Sequence, residues 1–271
     1  MPVISTNTAA NTALRYLNLN SDAESSNLAK IASGSRITKA SDDASGLAIG
    51  SKLEADSAVL SQAETNASNG VSILSIADGG MSSISDILER MKTLAAQSVS
   101  GTVTDTERAY IQSETTELIN EIGSIVSATS FNGDSLLDGG YSGISFLAGT
   151  SASDVLTVNI DAVDATTLGV NAVSVSTSAG ATTALTTIDS AISSLASARA
   201  EVGAQMSRFE FRSDMLATSL ENTDAAASSI MDADLAAEQA DLASNEVKTQ
   251  AAIAALAQAN QLPQELLDLL Q

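Results

Sequence analysis

The sequence predicts a mainly α-helical protein: a long antiparallel coiled-coil helical hairpin or bundle, with a small β-hairpin patch in the middle of the chain. Two observations lead to this prediction. Apolar residues recur with coiled-coil spacing over two long stretches, and the segment between them is rich in Gly, Ser and Thr. Aromatic residues make up only 3% of the chain, which indicates thin helical interfaces rather than one compact core.

The first long stretch runs from Leu60 to Ser98. Apolar and small residues recur there at alternating intervals of three and four. On a helix this spacing forms one narrow stripe, the seam of a coiled coil, which needs partner helices to cover it. One helix of an ordinary helical bundle would give the same pattern. The bulky members of this seam are Leu60, Leu74, Met81, Ile84, Leu88 and Met91.

The second stretch, residues 185–230, repeats the same intervals and predicts a helix that returns along the first. A third, weaker run at residues 111–129 fits beside them. Two seams separated by a polar segment indicate an antiparallel arrangement that brings the chain ends together, so that the molecule is expected to be a rod. The bulky members of the second seam are Ile192, Leu195, Val202, Met206, Phe209, Leu216 and Leu220.

Composition narrows the classes of function. The chain has 33 Asp and Glu against 12 Lys and Arg, a formal net charge of −21, so nucleic acid and anionic membranes are disfavoured as partners. It has no Cys and no His. Disulfides, Cys or His metal sites and His-dependent catalysis are therefore excluded, and we expect no cofactor.

Local signals place the element ends. A helix from Ser5 to about Ser33 is expected, with Ser5 or Thr6 as its cap and Gly34 as its stop. The central helix should break between Gly101 and Asp105.

Thr104 or Asp105 should cap the helix that follows this break. Alternating residues at 156–160 and 173–175 predict short strands. The last helix is expected from Leu235 to Asn260, because Pro263 interrupts backbone hydrogen bonding.

Several segments resemble the terminal regions of bacterial flagellins, in matching order and spacing. They cover both terminal thirds of the chain. The segments are Ser33–Ile49 (SGSRITKASDDASGLAI), Asn66–Leu74 (NASNGVSIL), Leu88–Ser98 (LERMKTLAAQS), the turn Phe131–Gly133 (FNG), Gly203–Glu210 (GAQMSRFE) and Leu256–Pro263 (LAQANQLP).

The resemblance implies an exported structural subunit that polymerises into the helical flagellar filament outside the cell. It also implies an N-terminal inner-core helix at 1–40 and the N-terminal half of the outer core at 41–130. A β-hairpin and loop region at 131–180, an outer-core return helix at 181–230 and a C-terminal inner-core helix at 231–271 complete the division.

Implied partners are other copies or sister flagellins, the flagellar export apparatus and an export chaperone, and the filament cap and hook–filament junction proteins. Residues Met1–Asn7 lack the basic and apolar regions of a signal peptide, so export by another signal is expected. Another flagellar axial protein, such as the hook–filament junction protein, is the alternative.

Three sets of residues are predicted to act in assembly or recognition. Arg36, Lys39, Asp42 and Asp43 are expected to form ion pairs that link the two layers, although solvated charges would look the same in sequence. Arg90, Leu94 and Glu114 occupy the positions where similar flagellins contact an innate immune receptor, and a solvated helical face is the alternative. The inner-core contacts are expected from Leu14, Leu17, Leu28, Ile31, Val247, Ile253, Leu256, Leu262, Leu266 and Leu270.

An enzymatic role is not expected. Some flagellins carry a zinc protease in an outer domain, but a chain without His cannot build a His-Glu-x-x-His site.

Overall fold

The computed structural model describes the backbone of residues 6–268 and the side chains of residues 6–261. This part of the chain is mainly helical, as the sequence predicts. Four short strands lie between the third and fourth helices: β1 (Ser130–Phe131), β2 (Asp134–Ser135), β3 (Ser142–Leu147) and β4 (Val155–Asn159). The helices are α1 (Thr8–Ser33), α2 (Ala44–Val99), α3 (Asp105–Ala128), α4 (Ser178–Met231) and α5 (Leu235–Asp268).

The chain divides into two compact units. The terminal unit combines the residues up to Ala55 with those from Asn222 onward, and the central unit is Asp56–Glu221.

In the central unit, α2 and α4 run antiparallel. Lys92 Nζ lies 2.5 Å from Asp189 Oδ1, and Arg199 Nε donates to Asp78 Oδ1 at 2.8 Å. The residue of α2 with the lower number, Asp78, therefore pairs with the residue of α4 with the higher number, Arg199. The predicted antiparallel hairpin of long helices is therefore confirmed.

The seam of α2 is buried along its whole length. Every position of the repeating stripe is buried, including the small residues between the bulky ones. The buried seam positions are Leu60, Ala63, Ala67, Gly70, Leu74, Ala77, Met81, Ile84, Leu88, Met91, Ala95 and Ser98.

The buried stripe of α4 coincides with the predicted one at every second position and differs at the positions between them. Leu195, Val202, Phe209 and Leu216 are buried, but Ile192, Met206 and Leu220 are only half-buried at the edge of the core. The buried positions between Ile188, Leu195 and Val202, and the one before them, are occupied by small residues, namely Ala184, Ala191 and Ala198. Ile192, Met206 and Leu220 pack against this core, but the sequence did not predict the buried Ala positions, because bulky residues were favoured, whereas an Ala in the seam lets two helices approach closely.

Glycine allows one such approach on α2. A Cβ added at Gly70 would lie 2.7 Å from Phe209 Cδ1, closer than real contacts permit. The ring of Phe209 is 1% exposed and meets Phe146 edge-on, with ring centroids 5.7 Å apart. Phe209 therefore fills the space that the missing side chain leaves, and it also anchors β3.

α3 packs antiparallel to α2 and begins with a capping box. The Thr104 hydroxyl accepts from Glu107 N, and the Glu107 carboxylate accepts from Thr104 N at 2.7 Å. The hydrogen bond from the Thr104 backbone, with a second one from its hydroxyl, holds the pKa of the Glu107 carboxyl below its usual value. Of the two predicted caps, Thr104 is the one used.

Arg108 ties the turn between α2 and α3 together, a role that the sequence did not reveal. Its side chain is buried, and it donates to the carbonyl oxygens of Ser98, of Ser100 (3.2 Å) and of Val103 (2.9 Å). The last carbonyls of a helix have no partner within it. The guanidinium, whose fixed fork offers five donors, satisfies one of them at Ser98 and two carbonyls of the turn that follows.

The segment after α3 forms two antiparallel hairpins. Asn132 and Gly133 both have positive φ (54° and 95°) and join β1 to β2, as expected for an Asn-Gly hairpin turn. β3 pairs with β4 with a bulge near Gly143.

The strand predicted at residues 173–175 is wrong. Its backbone binds helix side chains instead: Ser98 Oγ donates to Val175 O, and Val175 N donates to Gln112 Oε1, each at 2.6 Å.

Two element ends in the terminal unit also differ from the predictions. The cap of α1 is Asn7, whose side chain accepts from Ala10 N, rather than Thr6, and Ser5 lies outside the described residues. Gly34 ends α1 in the left-handed conformation with φ 72°, as predicted. α5 continues to Asp268 through Pro263, where a break was expected.

By length and composition, α2 is the helix of the described chain that could cross a membrane. A core helix of a soluble protein passes the same test. Within the chain, 33% of the apolar window of α2 that passes this test is buried.

Two glycines of α2 give a matched test of the close packing. Gly79→Ala should stabilise the chain by about 0.5–1 kcal/mol, because nothing lies within 4 Å of the added Cβ and Ala favours the helix. Gly70→Ala should destabilise it by about 1–3 kcal/mol, because the ring of Phe209 must move. Denaturant unfolding measures both values, and equal effects of the two substitutions would contradict the packing described for Phe209.

The capping box predicts a pH-dependent effect of Glu107→Gln. Since the folded state lowers the pKa of Glu107, its contribution to stability is present above the unfolded pKa of about 4.3 and is lost as the pH falls through the folded pKa. The variant should unfold at a lower temperature than the parent at pH 7 and at the same temperature in strong acid. Glu117→Gln, at an exposed position of the same helix, is the control and should show no such convergence.

Candidate functional site

The candidate site is the pair formed by α1 and α5 in the terminal unit. These helices run antiparallel, because three contacts join them in reverse order: Lys30 Nζ to Glu238 Oε1 at 2.9 Å, Thr249 Oγ1 to Glu24 Oε2 at 3.4 Å, and Asn7 Nδ2 to the carbonyl oxygen of Ala259 at 2.7 Å. All three are polar.

Few side chains are fully buried between these helices. Among the described side chains, Asn27 is the buried residue of α1 and Ala259 that of α5. With its amide oriented to satisfy its neighbours, Asn27 accepts from Leu242 N at 3.2 Å and from Asn245 Nδ2 at 3.3 Å. A buried Asn in a helical seam favours one register at a cost in stability.

Four of the predicted inner-core residues are exposed on this pair. The exposed fractions are 45% for Leu14, 58% for Leu28, 65% for Val247 and 54% for Ile253. Leu17, Ile31 and Leu256 are half-buried. The side chains of Leu262 and Leu266, and Leu270 as a whole, lie outside the described residues.

Three further exposed apolar residues were missed by the sequence analysis: Tyr16 (52%), Leu19 (55%) and Leu235 (53%). Leu19 and Leu28 are nine residues apart, which at about 100° per residue places them on opposite sides of α1. A helix that is apolar on opposite sides is typical of one surrounded by other elements. The spacing of Leu19 and Leu28 in the sequence already carries that signal, which a search for a single apolar stripe does not detect.

The predicted layer-linking residues do not form ion pairs within the described part of the chain. Arg36, Asp42 and Asp43 bind backbone groups, and Lys39 is exposed. Arg36 donates from Nε and Nη2 to Ile230 O at 3.1 and 2.8 Å. Asp43 Oδ1 accepts from Gly46 N at 2.8 Å, at the start of α2.

Asp42 accepts from the backbone N–H groups of Lys39 (2.9 Å) and Thr38 (3.1 Å). The Lys39 hydrogen bond is the main cause that lowers the pKa of the Asp42 carboxyl. Polar side chains in this connector are drawn to unpaired backbone groups of the same chain, and ion pairs that link the two layers stay a prediction.

The residues predicted to contact an immune receptor are divided by the fold. Arg90 and Glu114 are exposed and pair with each other at 2.6 Å. Leu94 is 2% exposed and packs in the core, so its inclusion was wrong.

Comparison with protein families matches both terminal regions of the chain and leaves residues 143–184 unmatched. Residues 4–142 match the bacterial flagellin N-terminal helical region, and residues 185–270 match the bacterial flagellin C-terminal helical region.

Individual relatives agree in length and in sequence. The "Flagellar filament 30.7 kDa core protein" of Treponema maltophilum is 36% identical over 99% of both chains. The flagellin of Listeria monocytogenes is 34% identical over 98% of this chain and 99% of its own. Other relatives are longer: this chain spans 42% of polar flagellin A of Vibrio parahaemolyticus, at 38% identity over 58% of this chain.

Solved structures show the same fold. A crystal structure of Bacillus cereus flagellin aligns with a TM-score of 0.50 at 30% identity, covering 56% of this chain and 88% of that one. A putative flagellar hook-associated protein from Vibrio parahaemolyticus aligns with a TM-score of 0.59, covering 70% of this chain and all of that one, but at 17% identity the likeness concerns the fold alone. From the family matches and the full-length relatives together, the chain belongs to the bacterial flagellin family.

Proposed function

We propose that this chain is a structural subunit that is exported and polymerises into the extracellular helical filament of a bacterial flagellum. The observation that carries the proposal is the full-length match to flagellins and to a flagellar filament core protein. The role is structural rather than catalytic, in keeping with a family of structural proteins and a chain without His or Cys.

The exposed apolar residues of α1 and α5 are the proposed contacts between copies. Leu19 and Leu28 each expose more than half of their side chain on opposite sides of one helix, so one neighbour is not enough to cover both. Burying a Leu side chain completely contributes about 1.5–3 kcal/mol, so covering the exposed half of each contributes about 1 kcal/mol. Several such residues per copy are enough to drive association at short range.

The negative net charge of each copy opposes this association. Each copy carries −21, and copies repel one another at long range. Because such repulsion is screened over about 8 Å at physiological ionic strength, the apolar contacts act once the copies are close. If the two contacting faces differ, the contact is heterologous, and one that does not close into a ring generates an open helical polymer.

The same proposal assigns each segment of the chain to a layer of the filament. The terminal segments 1–40 and 231–271 build the inner core, and 41–130 and 181–230 build the outer core with the hairpin region 131–180. The proposed further partners are sister flagellins, the export apparatus and its chaperone, and the cap and junction proteins. Arg90 and Glu114, exposed and paired, are the proposed contact with an innate receptor.

Truncating an exposed apolar residue should weaken assembly without unfolding the chain. Leu28→Ala and Val247→Ala should each raise the critical concentration for polymerisation roughly fivefold, since each removes about 1 kcal/mol of burial between copies. Sedimentation of seeded polymerisation mixtures measures this concentration, and circular dichroism checks the helix content.

Ile144→Ala is the matched control, because Ile144 is an exposed apolar residue of β3 in the central unit (39%). It should leave the critical concentration within twofold of the parent value. If Leu28→Ala and Val247→Ala polymerise as readily as this control, the terminal helices are not the contact between copies.

A further inference from the structure

The start of α1 and the proline near the end of α5 are connected through one side chain. Pro263 lies within α5, whose helical backbone continues to Asp268. In an α-helix the N–H of each residue donates to the carbonyl four residues earlier, and proline has no N–H. The carbonyl that loses its helical donor at Pro263 is therefore that of Ala259.

This carbonyl has a partner from the other end of the chain. Asn7 Nδ2 donates to it at 2.7 Å. Ala259 is only 6% exposed, so water has little access to replace that donor. A buried carbonyl without a hydrogen bond is destabilising, and the side chain of Asn7 removes that penalty.

The second polar atom of the same side chain is also used. Asn7 Oδ1 accepts from Ala10 N at 3.0 Å and caps α1. An amide side chain has both a donor and an acceptor, whereas an ionised Asp, an equally good cap, has only acceptors. Both atoms of Asn7 therefore have a function, and only an amide of this length provides the two together.

We propose that Asn7 fixes the register at the open end of the terminal helix pair by supplying the hydrogen-bond donor that Pro263 lacks. Because the fully buried side chains of the described pair are Asn27 and Ala259, polar contacts resist sliding: those of Asn27 with α5 near one end and that of Asn7 at the other. A slip of one helical turn, about 5.4 Å, would separate Asn7 from the Ala259 carbonyl.

The register of α1 against α5 matters for assembly. The exposed Leu28 and Val247 belong to different helices, and this register sets their relative position. In this respect the inference rests on the proposed function.

A double-mutant cycle tests the inference in the full-length chain. Asn7→Asp keeps the cap acceptor and removes the donor, so it should raise the critical concentration for polymerisation roughly three- to tenfold. Pro263→Ala restores a backbone N–H for the Ala259 carbonyl. In that background Asn7→Asp should change the critical concentration less than twofold.

Asn11→Asp is the control for the added charge, since Asn11 lies one turn further along α1 and is exposed. It should behave as the parent does. The inference is overturned if Asn7→Asp matches Asn11→Asp, or if its penalty is the same with Pro263 and with Ala at that position.

Hydrogen exchange distinguishes a failure of this inference from a failure of the proposed function. In the Pro263 background, Asn7→Asp should increase exchange at the amides of α5 that follow Ala259, and Pro263→Ala should abolish that increase. This readout can be taken on the chain before assembly. A parent chain that never polymerises contradicts the proposed function alone, whereas unchanged exchange in Asn7→Asp contradicts the role of Asn7 alone.

Discussion

Close contact between helices whose seams are built from small side chains is the constraint on which the central unit depends. The buried stripe of α2 alternates bulky residues such as Leu74 and Met81 with Gly70 and Ala77, and α4 presents Ala191 and Ala198 in the same way. Small residues bury little area each, so stability requires the helices to lie close enough for their few large residues to interdigitate. Phe209 in the space beside Gly70 is the clearest instance.

Polar side chains bind the backbone carbonyl and N–H groups that would otherwise lack hydrogen bonds in this unit. Arg108 binds the carbonyls at the end of α2, while Ser98 and Gln112 bind the backbone at Val175. Each of these groups is a helix residue that reaches backbone atoms of a turn or loop. The segment between α3 and α4 is therefore held by hydrogen bonds to the helices as well as by its own apolar residues, since Leu137, Ile160 and Val170 are buried in the same core as the seams.

In the terminal unit, unlike the central one, several bulky apolar side chains are exposed and a polar side chain is buried. Among the described side chains of α1 and α5, Asn27 and Ala259 are fully buried, and Asn7 and Lys30 add polar contacts, while Leu19, Leu28 and Val247 remain exposed. A chain that used these leucines for its own core would have none left to offer to a neighbour. Polar groups that set the register, together with apolar groups that stay available, are suited to a subunit whose ends are completed by other copies.

The sequence by itself determined the helical class, the seam of α2, the antiparallel hairpin and the family. These depend on repeats of bulky apolar residues and on local motifs such as the Thr104 cap and the Asn132–Gly133 turn, all of which act over a few residues. Only the tertiary structure decided that Ala rather than Ile192 completes the α4 seam, that Leu94 is buried and that Arg36 binds a carbonyl. It alone also joined Asn7 to the carbonyl that Pro263 leaves unpaired. These outcomes depend on contacts between atoms that are far apart in the sequence. The periodicity of apolar residues along the chain does not specify such contacts.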